Sequence, residues 1–287
     1  MRPFNLFSTH NSLFQNPQTE IVRIIKNSVA TELIYLLGSS LYQRRTETIF
    51  NCTSPASHYM GDYFLLVIIK DGEGRRMSEW EDILEQRCAH IARVTIIVME
   101  LLPFVEKYKE GNIFATSAHS AGAVFYDAGN VELPDLNDIK VKAPRDGQKE
   151  YKKTVHRAKE FLAGAELYLA REEGELATFM IHQCFEQSLK TLVLIGSGFV
   201  VDTHSIDRLL RYAGLVTYRL LEVFPVDQAD SKKLLETLQK SYVGARYAYD
   251  FSPPMLYVLK LKEKAQLVLD ILIDAGKSGL LEVPEQE

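Results

Sequence analysis

The sequence predicts an α+β chain: a small mixed-sheet domain first, then an all-helical bundle. Three observations predict it. Up to about residue 130, short apolar runs rich in β-branched residues alternate with segments of helical periodicity. Residues 132–150 then bring two prolines, Gly147 and many charges, the composition of a linker. Beyond residue 151 no strand pattern returns. The domains are therefore placed at 1–131 and 151–287, and 287 residues suffice for two ordinary cores.

In the first half, Pro17 opens a helix that carries Ile21, Ile24, Ile25 and Val29 on one side. Leu33–Leu37 reads as a buried strand stopped by Gly38, and Tyr63–Ile69 as a second, stronger one. Met77–Ala92 is helical through Trp80, Ile83, Leu84 and Ile91, and Val94–Met99 is a β-branched third strand. Leu101–Lys109 reads as a helix stopped by Gly111-Asn112, and Ala123–Tyr126 as a last short strand. In the second half, helices are expected over Thr154–Ala170, Leu176–Ile195, Ser205–Ala213, Leu215–Phe224, Ser231–Ala248 and Met255–Ala275. Pro253-Pro254 separates the last two, because proline can open a helix but not sit inside one.

Composition excludes several classes. Residues 1–150 carry 16 Lys and Arg against 19 Asp and Glu, and the remainder 17 against 19. The net charge of −5 is thus evenly spread, and neither half reads as a broad polyanion-binding surface. Cys52, Cys88 and Cys184 are far apart, odd in number and without C-x-x-C spacing. Reduced thiols, a cytoplasmic location and no structural zinc are expected. Met1–Asn16 lacks the apolar core of a signal peptide, and no apolar run is long enough to span a membrane.

Leu36-Leu37-Gly38-Ser39, followed by Gly61-Asp62-Tyr63-Phe64 and Leu65–Ile68, resembles the core of minimal nucleotidyltransferases of the polymerase-β superfamily. In that family a strand ends in Gly-Ser, which holds triphosphate oxygens; a second strand starts Asp-x-Asp; a third supplies another acid. The resemblance spans roughly residues 20–130. It implies nucleotide contacts at Gly38, Ser39 and Asp62, with magnesium as cofactor only if the site is active. Metal-dependent transfer needs several carboxylates on one face. Strand residues i and i+2 share a face, yet position 64 is Phe, and Val94–Val98 contains no acid. The 22 residues between Ser39 and Asp62 read as an insertion loop. Its Arg44-Arg45 pair is a candidate phosphate clamp against a plain solvated loop, and its Cys52 and His58 are a weak nucleophile–base pair. Asp71 and Glu73 are the remaining acids that an active enzyme would need.

The helical half resembles the HEPN family in three blocks. The first runs from Phe179 to Lys190 and holds Gln183, Glu186, Gln187 and Lys190 in a Gln-x-x-Glu-x-x-x-Lys pattern. The second is Thr203-His204-Ser205, opening a short helix. The third is Tyr242-Val243-Gly244-Ala245-Arg246-Tyr247. Their spacing puts Gln183, Glu186, Gln187 and Lys190 on one polar stripe, worth ~0.3 kcal/mol for Glu186→Lys190 if exposed. His204 is either packed and hydrogen-bonded, or at a helix N-terminus where it caps the helix or faces an anion. Arg246 is either buried and held by an acid or a helix end, or a phosphate or base contact. Ribonucleases of the family carry Arg five to seven positions before His, and none of the seven histidines here has one. The resemblance therefore implies a fused protein of prokaryotic type that takes a nucleotide or nucleic-acid ligand without strong catalysis, toxin–antitoxin-like or regulatory, and homodimeric through helix faces. An active nucleotidyltransferase using Asp62 and a pure protein-interaction module are the alternatives.

Overall fold

In a computed structural model of the chain, residues 17–48, 51–142, 147–225, 229–247 and 250–277 are described; for 41–60 and 229 this covers the backbone alone. The chain forms two compact units, Met1–Val141 and Lys142–Glu287. No helix among the described residues is long and apolar enough to cross a membrane.

The first unit is a four-stranded mixed sheet in the order β3-β2-β1-β4, with strands β1 (Thr31–Thr48), β2 (Asn51–Ile69), β3 (Arg93–Glu100) and β4 (Ala123–Asp127). β1 is antiparallel to β2 and β4, and β2 runs parallel to β3. Helices α1 (Pro17–Ser28) and α2 (Met77–Cys88) cover one face. Ile21, Ile25, Trp80, Leu84 and Cys88 pack there on Tyr63, Leu65, Val67 and Ile69. Leu66 and Ile68 are as deeply buried on the other face. Burial on both sides is why this strand reads as an unbroken apolar run instead of an alternation.

Helices α3 (Leu101–Lys109) and α4 (Ile113–Ala121) follow β3. The second was not expected. Gly111-Asn112 does stop α3, but Asn112 also begins α4: its Oδ1 accepts from Phe114 N at 3.0 Å and Ala115 N at 3.2 Å. Two further expectations are corrected. Gly38 does not end its strand, and residues 40–48 and 51–61 are strand and not loop, because β1 and β2 continue as one antiparallel ladder that pairs Arg44 with His58 and Arg45 with Ser57. A register shift between Leu36 and Gly38 absorbs one extra residue, so the pair follows a bulge inside the strand.

The expected linker divides between the units. Ile139 is buried in the first, and Tyr108 donates to Pro134 O at 3.1 Å. α5 (Gly147–Ala170) already belongs to the second. There α6 (Gly174–Ser197) is the central helix, flanked by α5, α7 (Ile206–Gly214), α8 (Ala229–Tyr247) and α9 (Met255–Lys277). Thr191 Oγ1 donates to Thr154 Oγ1 at 3.1 Å, setting the end of α6 beside the start of α5. Tyr151 likewise donates to Ile273 O at 3.2 Å, so α5 and α9 also run antiparallel. Thirteen residues of α6 are buried, Phe185, Leu189 and Leu192 completely. Each such side chain contributes about 1.5–3 kcal/mol relative to exposure. The helix expected over Leu215–Phe224 is only a 3₁₀ turn, Tyr218–Glu222.

Candidate functional site

The motif residues of the first unit meet only in part. Across the ladder Gly38 pairs with Phe64 and Ser40 with Asp62; on the other side Asp62 pairs with Arg93 and Phe64 with Thr95. Asp62 and Phe64 thus share a face with Arg93 and Thr95. Arg93 Nη1 stands 4.0 Å from Asp62 Oδ2. A phenyl ring, a hydroxyl and a guanidinium surround the one carboxylate, which does not fit the oxygen-rich octahedral shell that magnesium needs. Asp71 is engaged elsewhere, since its Oδ1 accepts from Leu102 N at 3.0 Å at the start of α3. Glu73 is half-buried in the turn after β2. Gly38 and Ser39 sit half-buried in β1, and the side chains of Arg44, Arg45, Cys52 and His58 lie outside the described residues. Among the described residues no three acids, histidines or cysteines are placed to hold a metal ion.

The second unit brings its three blocks together. One stripe of α6 carries His182, Glu186 and Lys190, each a turn apart. Glu186 is not on a solvated stripe as its spacing suggested; it is only 3% exposed. Its Oε1 takes Lys190 Nζ at 2.9 Å and lies 2.9 Å from His204 Nδ1. His204 reaches it because α6 ends at Gly198, whose φ of +72° turns the chain back with N–H bonded to Leu194 O at 2.8 Å. His204 caps nothing. Ser205 is the N-cap of α7, and Gln239 of α8 takes the Ile206 N–H at 2.7 Å.

α8 closes the site from the side, with Ser241 Oγ, which donates to Leu238 O at 2.7 Å, lying 3.4 Å from Thr178 O of α6. The His204 ring stacks on Tyr242 at 4.7 Å between centroids, and the His182 ring lies 5.2 Å from the same phenol. The Arg246 guanidinium is 4.2 Å from the Tyr242 ring, 5.4 Å from Phe179 and 5.2 Å from Tyr247. Its Nε donates to Tyr242 O at 2.7 Å. Arg246 is therefore exposed on an aromatic bed and, among the described residues, forms no ion pair with an acid. Gly244 allows the turn between Tyr242 and Arg246 to pack tightly, since a Cβ there would come within 2.6 Å of the Phe251 ring.

Sequence reasoning missed His182 as part of this cluster, although His-x-x-x-Glu places it one turn before Glu186 on the same stripe. It is completely buried. Burial disfavours the imidazolium and pushes its pKa down to about 4; the Glu186 charge pulls the other way without winning. The 3.8 Å approach of His182 Nδ1 to Glu186 Oε2 is thus not an ion pair at neutral pH. Among the described residues neither Glu186 Oε2 nor His182 Nε2 has a hydrogen-bond partner. The site combines an aromatic platform, two cations (Lys190 and Arg246), and an exposed imidazole anchored through Nδ1 to a buried carboxylate. Flat rings stack on such a platform, and phosphates pair with such cations.

The three blocks make the second unit an all-helical domain with one convergent polar and aromatic site. Residues 151–274, most of the second unit, match the family model described as HEPN domain. No curated protein matches the chain. Among solved structures, one from Thermus thermophilus is similar at 25% identity, covering 44% of this chain and 97% of its own, with a TM-score of 0.32. A nucleotidyltransferase-like protein from Exiguobacterium sibiricum is similar at 11% identity, covering 91% of this chain and 75% of its own, with a TM-score of 0.28.

Proposed function

We propose that this protein binds a nucleotide or nucleic-acid end through its HEPN domain, and that its nucleotidyltransferase-like first unit has no strong transfer activity. The observation that carries the reading is the convergence of Lys190, His204, Tyr242 and Arg246 around one buried carboxylate, Glu186. The Arg93 guanidinium beside Asp62, and Phe64 on the same face, support the second half. The reading carries a regulatory or toxin–antitoxin-like role in a prokaryotic cytoplasm. It also includes a homodimer through helix faces, for which Leu167 of α5 and Leu256 and Leu259 of α9, all exposed, offer an apolar strip.

A ligand that binds only the folded state raises its melting temperature. Thermal unfolding with ATP, GTP and a single-stranded oligonucleotide is expected to show stabilisation that disappears in Arg246→Ala and persists in Asp62→Ala. No stabilisation by any of them would leave the interaction-module reading. Magnesium-dependent label transfer from a nucleotide, lost in Asp62→Ala, would establish the active enzyme instead.

A further inference from the structure

A separate cavity lies in the first unit, on the α4 side of the sheet. It is a half-open groove of about 490 Å³, lined by Leu33 and Tyr35 of β1, His119 of α4, the exposed Val124 and Asp127 of β4, and the 131–133 segment with the exposed Glu132. Tyr35 pairs across the ladder with Leu66, four residues along β2 from Asp62, so this is not the degenerate nucleotide site.

The polar groups of this cavity are uneven in charge. Tyr35 is 1% exposed, and its hydroxyl is hydrogen-bonded to His119 Nδ1 at 2.9 Å. Burial, with the Asp127 charge second, pushes that phenol up to about 12, so it stays neutral. Burial also lowers the His119 imidazole, which Asp127 only partly offsets, so the ring carries no charge at neutral pH. Asp127 Oδ1 accepts from Gly129 N at 2.7 Å, and neither Asp127 nor Glu132 forms an ion pair among the described residues. No Lys or Arg lines the cavity. The remaining walls, Leu33, Val124, Val131 and Leu133, are aliphatic. The cavity therefore offers two carboxylates, two neutral polar aromatic rings and an apolar floor. That combination attracts a cation with an apolar body and repels anions such as nucleotides.

We propose that this cavity is a binding site for a small organic cation, an ammonium or guanidinium head on an aromatic or aliphatic body. The Asp127 and Glu132 carboxylates meet the head, and Leu33, Val124 and Leu133 receive the body.

Calorimetric titration of the full chain with tyramine, and with 4-ethylphenol as the same body without the ammonium, tests this. Tyramine is expected to bind at least about tenfold more tightly than the neutral phenol, which corresponds to about 1.4 kcal/mol. The Asp127→Asn/Glu132→Gln double variant is expected to lose that margin. Asn keeps the acceptor for Gly129 N, and an unchanged melting temperature verifies the fold. Val124→Trp, which fills the cavity mouth, is expected to abolish binding with both acids intact. No binding of tyramine to the wild-type chain, equal binding of the two probes, or full tyramine affinity in the double variant would each overturn the proposal.

Discussion

Asp62 and Glu186 are both acids at the heart of a sequence motif, and they have met opposite fates. Asp62 lies on a sheet face, 4.0 Å from the half-exposed Arg93 guanidinium, with a phenyl ring two residues along the strand on the same face. Glu186 is sealed inside a bundle, takes Lys190 and His204 at 2.9 Å each, and is roofed by stacked aromatic groups from two other segments. A motif keeps its chemistry through the neighbours that converge on it, and residues 182 to 246 supply those neighbours where the first unit's strands do not.

The largest expected effect concerns His182. Its folded pKa is depressed from 6.5 to about 4, so the neutral ring is the form the fold accepts. Below pH 6.5 the unfolded chain binds a proton that the folded one refuses, so stability falls between about pH 6.5 and pH 4 and levels off below. The loss is of the order of 3 kcal/mol. Urea unfolding of the helical unit at several pH values should show this slope, and His182→Gln should flatten it. An unchanged slope in the variant would place the titration elsewhere.

Next comes Glu186→Ala. It removes the shared acceptor of Lys190 and His204, and about 2 kcal/mol of stability should go with it, because the site is buried although both partners can rehydrate. The equivalent change at Asp62, which is less buried than Glu186 and stands 4.0 Å from an Arg93 that is 54% exposed, should cost less, below about 1 kcal/mol. Equal losses in chemical denaturation would erase the contrast between the two acids. Smaller again, Arg246→Lys should leave the fold intact but weaken oligonucleotide binding about tenfold in an anisotropy titration, because a compact ammonium cannot stack on three rings as a guanidinium does. Wild-type affinity in that variant would reduce Arg246 to a point charge.

How much of this was legible follows the physics of each segment. The mixed sheet with its flanking helices, and the long helices α5, α6 and α9, announce themselves by period and by proline or glycine punctuation. α4 was hidden because Asn112 serves as both a stop and a cap. The extension of β1 to Thr48 and of β2 back to Asn51 was hidden because its polar residues lack an apolar alternation, and strand pairing there is decided across the ladder. In the candidate site, Gln183, Glu186, Lys190, His204, Tyr242, Arg246 and Tyr247 were all nameable from the three blocks. The burial of Glu186 was not, because its position beside Gln183, Gln187 and Lys190 reads as a wet stripe until His204 and Tyr242 fold over it. His182 was missed for the same reason: a lone histidine next to apolar residues gives no sign of its partners before the bundle closes.

Photo-crosslinking with an azido-adenine nucleotide, followed by peptide mapping, tests the central claim most directly. The account predicts label on the peptides holding Phe179–Lys190, His204 and Tyr242–Tyr247, reduced in Arg246→Ala and indifferent to magnesium. Label confined to Gly38–Asp62, dependent on magnesium and lost in Asp62→Ala, would contradict it.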